Sequence, residues 1–531
     1  MSTPLNKTAP QNAEEREAEL DAQIRKSLED YAEEASTLNL EDELDRPTYG
    51  ATVYLAHTKL ETRFGEFTSF IFQDIIHKGY IIALTYGDVA SVETLYTRVH
   101  SSCVTSETLR GCDCDCVQQL EGAIQKIAQE GSGVLFYLLQ EGRGVGYVAK
   151  ARDRMIVQAS MDTISTFEAY AMLGLNKDYR QYRNVRDIAK ILKIDASWIV
   201  LTNNPDKIEA MKKNGFRVER SESLEFEPEP YNLAYLRSKA HAGHILKRPL
   251  SSALQGVKTP EKVIPFKPRS LGQARRFLYM ASYFLPVRPV NNEIMISKEE
   301  EVELFGERSM DAYMHGESPL IESRKELRGG RILVKIDRYA LTNFQKSYPE
   351  DPVCSLLTKP YWFRAHVYFD IVSGLDYVVL SFGKATADDV PVVRIQSESL
   401  FNRFPVTHDE NKAKYNRALQ EIVSYGCGVV VLAYEDGRGA GFGAFAVDRM
   451  MLDQGESEST AESYEKIGIE FDSRDYEGLM TVLKQHLPSN RIQMIMNSPN
   501  SLVLKGEYTK VLSSSNMDVE KWIFLDDSTM V

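Results

Sequence analysis

Apolar and polar positions follow two different spacings along the chain. Short apolar runs, typical of strands, alternate with segments whose apolar residues recur every three or four positions, as in helices. The strand-like runs are Glu66–Phe72, Tyr80–Leu84, Tyr96–His100 and Gly133–Leu139. The helical segments are Val117–Gln129, Lys150–Ala159, Val185–Leu192 and Asp206–Asn214. This alternation predicts an α/β or mixed α+β sheet domain over residues 49–241.

The segments before and after this domain differ from it in amino-acid composition. Residues 1–48 are polar and acidic, and the apolar residues within 14–35 are spaced as in an amphipathic helix, although a solvated tail is an equal alternative. Residues 242–330 contain several prolines, which predict a Pro-rich linker and irregular connection.

The second half of the chain repeats the first. Residues 123–155 align without a gap with residues 418–450, and the similarity extends upstream to residues 98–101 and 394–397. A repeat of this length is a duplicated domain rather than a short solenoid unit. We therefore predict two tandem sheet domains with flanking helices, the second over residues 331–531.

Composition places the chain among ordinary globular proteins. Apolar residues make up 43% and charged residues 26%, and 531 residues suit two or more domains. The net charge of −13 argues against nucleic-acid binding, so an anionic ligand requires a local basic pocket. The sequence opens without an apolar signal region and has no run of about 18 apolar residues. We therefore expect no membrane partner and a cytoplasmic location.

Four of the six cysteines lie close together in the first domain. The spacing of Cys103, Cys114 and Cys116 can hold one zinc ion and leave its fourth position open for water, which implies hydrolysis. A closed four-thiolate site that includes Cys112, an iron–sulfur cluster and inert core thiols are the alternatives. The second copy has Ser399 opposite Cys103 and no cysteine opposite the other two, so we expect one zinc per chain.

Five motifs occur in order over about residues 53–218. They are Arg98-Val99-His100-Ser101, Cys103-x10-Cys114-x-Cys116, Gln140-Glu141-Gly142-Arg143, Asp178-x-Arg180 and Thr202-Asn203-Asn204-Pro205-Asp206-Lys207. In these motifs the first domain resembles the GTP cyclohydrolase II family, whose members open the imidazole ring of guanine and release formate and pyrophosphate. The resemblance implies that a zinc-bound hydroxide attacks the purine at C8.

The resemblance also implies roles for the side chains around the metal. Glu141 is similar to the reader of the guanine edge, and Arg143 is similar to a phosphate contact. The other implied nucleotide contacts are Arg98, Val99, His100, Ser101, Ser102, Gln119, Gly142, Thr166, Thr202 and Lys207. Asp178 and Arg180 resemble a proton acceptor and a nucleophile on the α-phosphate, with charge stabilisation by Arg180 as the alternative. A GTP substrate can also bring Mg²⁺ with its phosphates.

Two departures from the family pattern leave the reaction open. Ser102 stands where the family usually has Glu, and Arg154 or Met155 replaces an active-site tyrosine. The reaction can therefore stop at a formamide intermediate. The sequence is also compatible with a paralogous ring-opening enzyme of uracil catabolism and with a non-catalytic nucleotide-binding regulator.

The duplication also bears on assembly. Proteins of the family it resembles are typically homodimers, so a tandem chain implies an intramolecular pseudo-dimer, which can pair again as a homodimer. The second copy keeps Asp436, Arg438, Asp472 and Arg474. We expect weak nucleotide or phosphate binding there, and support of the fold is the alternative explanation.

Overall fold

The structure is a computed structural model of the chain. It describes residues 22–23, 26, 48–176, 178–241, 243–244, 257, 259–260, 263, 276–306, 310–315, 319–327, 329–407, 410–433, 436–498 and 502–525. Most of the acidic segment 1–48, with the helix expected there, lies outside the described residues.

Eight strands form the first sheet, in the order β1-β2-β3-β4-β6-β5-β7-β8. Their bounds are β1 Thr48–Tyr49, β2 Thr52–Thr62, β3 Gly65–Asp74, β4 Tyr80–Tyr86, β5 Thr94–Ser101, β6 Gly133–Leu138, β7 Ser197–Leu201 and β8 Val218–Glu222. Strand β6 is antiparallel to β4, whereas β5 runs parallel to both β6 and β7. Every residue of β6 is buried, as its continuous apolar sequence and central position require.

Helices flank this sheet and confirm the predicted fold class. They are Cys116–Glu130, Tyr147–Ala159, Thr166–Met172, Arg183–Ile191, Pro205–Lys213 and Leu233–His241, with a π-helical turn at Val104–Thr108 and a 3₁₀ turn at Glu141–Gly144. All four strands and four helices predicted from the apolar spacing are present, with ends that differ by at most three residues.

The second sheet has seven strands in the order β18-β17-β15-β16-β14-β13-β9. Their bounds are β9 Phe277–Val287, β13 Tyr361–Asp370, β14 Asp376–Phe382, β15 Val392–Ser397, β16 Gly428–Ala433, β17 Arg491–Met496 and β18 Asp518–Phe524. Read from β9, this order reproduces β2-β3-β4-β6-β5-β7-β8 of the first sheet, with the same parallel and antiparallel pairs. The tandem duplication is confirmed strand by strand.

The helices of the second copy also follow those of the first. They are Glu410–Tyr425, Phe442–Gln454, Thr460–Lys466, Tyr476–Leu483 and Leu502–Ser514, with 3₁₀ turns at Leu400–Arg403, Asp436–Gly439 and Lys484–His486. Within the described part of the chain, no helix has the length and apolar character needed to cross a membrane.

A small third sheet is inserted between the first two strands of the second sheet. Its strands are β10 Glu293–Ser297, β11 Ile321–Leu327 and β12 Arg331–Ile336, in the order β10-β12-β11. Together with helices Lys298–Phe305, Met310–Met314 and Arg338–Ser347 and the 3₁₀ turn Pro352–Thr358, they enclose a separate apolar core.

The interpretation of residues 242–330 as an irregular linker is therefore wrong for residues 277–327, which contain β9, β10 and β11. The second domain begins at β9 rather than at residue 331. Pro286 is a physical reason for the error, because proline usually breaks strands. Since β9 is an edge strand, however, a residue without an N–H leaves the hydrogen-bond ladder intact.

The two copies pack through reciprocal contacts between a helix and a strand. Helix Tyr147–Ala159 of the first copy lies on β9, and the equivalent helix Phe442–Gln454 of the second copy lies on β2. Gln158 exchanges two hydrogen bonds of 2.8 and 2.7 Å with the backbone of Phe284. Asp453, at the position equivalent to Gln158, accepts a hydrogen bond of 3.1 Å from the backbone of β2. The two copies therefore contact each other through equivalent elements, as the predicted pseudo-dimer requires.

Candidate active site

A cavity opens where the parallel strands of the first sheet end. Cys103 follows β5, Glu141 follows β6 and Thr202 follows β7. Because these strands run in the same direction, their carboxyl ends meet at one edge, where open sheets of this kind usually bind ligands. The three segments line one cavity of about 910 Å³.

Three thiols form a compact group in this cavity wall. The Sγ atoms of Cys103, Cys114 and Cys116 lie within 4.8 Å of one another, and those of Cys103 and Cys114 are 3.7 Å apart. Tetrahedral zinc with Zn–S bonds of about 2.3 Å holds its sulfurs about 3.8 Å apart. The thiol group therefore fits one zinc ion with an open fourth position.

Cys112 stays outside this group. Its Sγ donates a hydrogen bond of 3.2 Å to the carbonyl of Pro286 in β9, and its backbone N–H donates to the same oxygen at 2.9 Å. Burial raises the pKa of the Cys112 thiol to about 12, which keeps it protonated. Cys112 thus joins the cysteine-bearing segment 112–116 to the second copy by hydrogen bonds and is not a fourth thiolate of the group.

Lys150 and Glu141 connect the thiols to the cavity wall. The Nζ atom of Lys150 lies 3.1 Å from Cys103 Sγ and 2.5 Å from Glu141 Oε1. The other carboxylate oxygen of Glu141 accepts a hydrogen bond of 2.7 Å from the backbone N–H of Val104. Burial raises the pKa of Glu141 to about 7, so its carboxyl group changes protonation near neutral pH.

The sharp turn Glu141–Gly144 brings backbone close to the cavity. Arg143 has a φ of 60°, and Gly144 has a φ of 90°. A Cβ on Gly144 would lie 2.9 Å from the backbone of Tyr179, so this close approach requires glycine. The Arg143 carbonyl accepts a hydrogen bond of 2.9 Å from the N–H of Tyr179. The turn therefore holds the loop of Arg180 against the site.

A second group of side chains in the cavity is basic. The Nε atom of Arg180 lies 3.0 Å from each carboxylate oxygen of Asp178. Burial lowers the pKa of Arg180, but its hydrogen bonds to Asp178, together with the charge interactions with Asp178, Tyr182 and Tyr235, raise the pKa above its usual value, so Arg180 stays cationic. Burial, together with the charges of Arg180 and Arg98, lowers the pKa of Lys207 well below its usual range. An anion bound among these groups would relieve their mutual repulsion.

Buried polar contacts link Arg98 to the segment that carries Cys114 and Cys116. Arg98 donates a hydrogen bond of 2.7 Å to Gln119, and Gln119 donates one of 2.6 Å to Asp115. Lys239 Nζ lies 2.6 Å from the other oxygen of Asp115. Arg98 also donates a hydrogen bond of 2.5 Å to the carbonyl of Leu201. Arg98 and Gln119 are thus held in place by the protein while they face the cavity.

The structure brings most of the predicted site residues to this cavity. Those that line it are Arg98, His100, Ser101, Ser102, Cys103, Cys116, Gln119, Glu141, Gly142, Arg143, Thr166, Asp178, Arg180, Thr202 and Lys207. Val99 and Cys114 do not line it. The Val99 carbonyl accepts a hydrogen bond of 2.9 Å from Lys207, and Cys114 completes the thiol group behind the wall.

Several residues that line the cavity do not belong to any of the five sequence motifs. Lys150 lies between the motifs, and Tyr235, Lys239 and His244 follow them, on and just after helix Leu233–His241. The spacing of four residues between Tyr235 and Lys239 places both on one helix face, which is a signal that the sequence offers.

The two candidates for the position of the expected tyrosine, Arg154 and Met155, lie in different surroundings. Arg154 lines the cavity and forms an ion pair with Asp113, whereas Met155 packs against the apolar core shared with the second copy. Pro286 and Trp362 of the second copy also line the cavity. The second copy therefore forms part of the wall of the first copy's site.

The second copy differs from the first at the position of the thiol cluster. The loop around Ser399, which replaces Cys103, borders a space of only about 40 Å³. Phe445 occupies the position of Lys150, so the ammonium group is replaced by an aromatic ring.

Other features of the second copy remain. Asp436 accepts a hydrogen bond of 2.9 Å from the N–H of Leu400. Glu141 accepts the equivalent bond from the N–H of Val104 in the first copy. The Nε atom of Arg474 lies 2.8 Å from Asp472, which repeats the Asp-x-Arg pair of the first copy. The second copy lacks the three clustered thiols and keeps the turn and the Asp-x-Arg loop.

Comparison with known proteins also finds two related regions in the chain. The sequence profile of the GTP cyclohydrolase II family matches residues 53–223 and again 351–508. GTP cyclohydrolase-2 of Proteus mirabilis is 38% identical over 193 residues, which cover 36% of this chain and 95% of that protein. GTP cyclohydrolase-2 of Shewanella oneidensis is 37% identical over 195 residues, which cover 36% of this chain and 94% of that protein.

Solved structures also match, among them a two-domain 3,4-dihydroxy-2-butanone 4-phosphate synthase from A. baumannii. The match covers 33% of this chain and 41% of that chain at 16% identity, and its TM-score of 0.19 is too low to support a structural comparison. The family profile, by contrast, matches most strands of both sheets, β2 to β8 and β13 to β17. The chain therefore belongs to the GTP cyclohydrolase II family, as a tandem form of this type of hydrolase with one cysteine-bearing and one cysteine-free site.

Proposed function

We propose that the first copy uses one zinc ion to open the imidazole ring of GTP and release pyrophosphate. The observation that carries this proposal is the presence of three clustered thiols and a group of basic side chains in one cavity of about 910 Å³. The thiols suit a hydrolytic metal, and the basic side chains suit a triphosphate.

Cys103, Cys114 and Cys116 would hold the zinc, which supplies hydroxide near neutral pH when bound. Lys150 would keep the Cys103 thiolate and the Glu141 carboxylate in fixed positions through its two contacts. In this proposal, ionised Glu141 accepts hydrogen bonds from the N–H groups of the guanine edge.

The phosphates would lie against the basic group. Because Arg180 stays cationic, we assign it to stabilising the charge that develops on the α-phosphate, in preference to attack as a nucleophile. Asp178 would fix the guanidinium through its paired contacts. Lys207, Thr202 and Arg143 would complete the phosphate contacts.

We also propose that any Mg²⁺ enters with the nucleotide phosphates. Among the described residues, only the thiol cluster brings three potential metal ligands together. A second metal would therefore depend on phosphate oxygens, as Mg²⁺ often does.

A paralogous ring-opening reaction on a uracil compound is the second candidate. The observation in its favour is that Arg154, one of the two candidates for the position of the family tyrosine, lines the cavity and pairs with Asp113. The same change is compatible with GTP opening that stops at a formamide product.

The proposal is tested by incubating the zinc-loaded protein with GTP and, separately, with uracil nucleotides, and identifying the products by mass spectrometry. We expect a ring-opened guanine product and pyrophosphate, and no product from Cys114→Ser. Formate release would show complete ring hydrolysis, whereas its absence would show a retained formamide. Conversion of uracil nucleotides with no conversion of GTP would overturn the proposal in favour of the second candidate.

A further inference from the structure

The loop that carries Cys103 rests on a buried carboxylate. Glu107 is 3% exposed. Its Oε2 atom accepts a hydrogen bond of 3.1 Å from the N–H of Cys103 and one of 2.5 Å from the Tyr137 hydroxyl. Its Oε1 atom lies 2.8 Å from His100 Nε2. Glu107 therefore fixes the backbone of Cys103 from inside the protein.

The second copy places a cation beside this carboxylate. Arg403 is 3% exposed and ends the 3₁₀ turn Leu400–Arg403, which contacts the turn Val104–Thr108 of the first copy. Its Nη1 atom donates a hydrogen bond of 3.1 Å to the Tyr137 hydroxyl. Since Tyr137 donates its own proton to Glu107, it connects the cation of one copy to the carboxylate of the other.

A second buried carboxylate completes the network. Glu398 is 5% exposed and accepts a hydrogen bond of 2.7 Å from Arg403 Nε. The same oxygen accepts one of 2.7 Å from the Thr108 hydroxyl of the first copy. Two carboxylates and one guanidinium are thus buried together across the interface. Removing the guanidinium alone would leave Glu398 buried without its cation and Tyr137 without one of its hydrogen-bond donors.

The alignment of the two copies places Arg403 at the position equivalent to a carboxylate of the first copy. Ser399 is opposite Cys103, so Arg403 is opposite Glu107. Equivalent positions in the two copies therefore carry opposite charges at their contact. The second copy lacks the metal thiol and carries a cation that faces the carboxylate under the first copy's thiol.

We propose that Arg403 of the second copy is a positioning residue for the metal-binding loop of the first copy. Through Tyr137 and Glu107, it holds Cys103 where the thiolate can bind metal. This inference rests on the zinc site of the proposed function. It makes metal binding in the first copy depend on a residue of the copy that has no metal thiols.

The test compares zinc affinity, measured by chelator competition, and folding, measured by circular dichroism, in the full chain. Arg403→Met should lower zinc affinity about 10–100-fold, as loss of a group that orients a metal ligand typically does. Arg403→Lys should restore part of this loss. The double variant Arg403→Met with Glu398→Gln removes the buried charge from both partners and should remain folded, but it should still bind zinc weakly.

Asp453→Asn is the matched control, because Asp453 joins the copies through its hydrogen bonds to Thr58 and Lys59 of β2, outside the metal-binding loop. Its zinc affinity should equal that of the parent. If the Arg403 variants fail to fold, Tyr137→Phe decides the matter, since it removes only the linking hydroxyl and should weaken zinc binding about tenfold.

Folded Arg403 or Tyr137 variants that bind zinc within about twofold of the parent would overturn the inference and leave the proposed function standing. A parent protein that binds no zinc at the thiol group would instead overturn the proposed function, and the inference with it. The two failures are therefore distinguishable.

Discussion

The two copies share one scaffold and differ in what that scaffold holds. Seven strands follow the same order in both, and each copy has a sharp glycine turn and an Asp-x-Arg loop. The first copy has a cavity of about 910 Å³, whereas the space beside the second copy's loop is about 40 Å³. The difference shows that the turn and the loop do not require the metal thiols for their conformation.

The comparison also shows that the copies are not independent. Val104 and Tyr147 of the first copy belong to one apolar cluster with Tyr283, Leu285 and Phe363 of the second copy. Removing the second copy would expose this cluster to water. The second copy therefore contributes to the stability of the first, whatever its own binding properties are.

The largest expected effect follows from separating the copies. A protein truncated to residues 1–245 should aggregate or lose activity, because it exposes the shared apolar cluster and removes Pro286 and Trp362 from the cavity wall. Size-exclusion chromatography and turnover of GTP measure both effects. A truncated protein that is soluble, monomeric and as active as the full chain would show that the second copy is dispensable.

Equivalent arginines provide the next comparison. Arg180→Ala should reduce pyrophosphate release by about 10²–10³-fold with zinc content unchanged, since Arg180 is assigned to the phosphate end of the substrate. Arg474→Ala, in the same loop of the second copy, should change turnover less than about twofold. Equal losses from the two variants would contradict the assignment of chemistry to the first copy alone.

A smaller effect is expected from Lys239, which has no role in the family motifs. Lys239→Met leaves Asp115 buried without its ion-pair partner and should lower kcat/KM about tenfold, equivalent to about 1–2 kcal/mol. Lys212→Met, on the exposed face of helix Pro205–Lys213, is the matched control and should be neutral. Indistinguishable kinetics in the two variants would remove Lys239 from the site.

The smallest expected effect concerns the second copy's own ligand. Arg474 and Arg438 remain near one another there, and burial together with the charge of Arg474 lowers the pKa of Arg438. We expect pyrophosphate to bind weakly, with a Kd of about 1 mM, in a protein that carries Arg180→Ala. Calorimetry should show that Arg474→Ala abolishes this binding. Binding that persists without Arg474 would mean that the loop serves only the fold.

The sequence predicts the parts of the site that depend on local spacing. The cysteine group, the Glu141–Gly144 turn and the Asp-x-Arg loop each lie within a short segment, and the structure brings them to one cavity. The central strands are also predictable because their apolar runs are continuous, as in β6.

Other parts depend on contacts that the sequence pattern does not contain. Strand β9 contains a proline and is separated from its partner β13 by a whole inserted sheet, so it resembles a linker. The approach of Arg403 to Tyr137 joins residues 266 positions apart. Pairings of this kind are fixed by the packing of the two copies, and no local periodicity indicates them.

The zinc content of the full chain tests the central claim most directly, that the first copy alone carries the metal chemistry. Native mass spectrometry should find about one zinc per chain, and Cys114→Ser should abolish it, whereas Cys112→Ser should retain it because Cys112 lies outside the thiol group. Two tightly bound zinc ions per chain, or one that survives Cys114→Ser, would contradict the account.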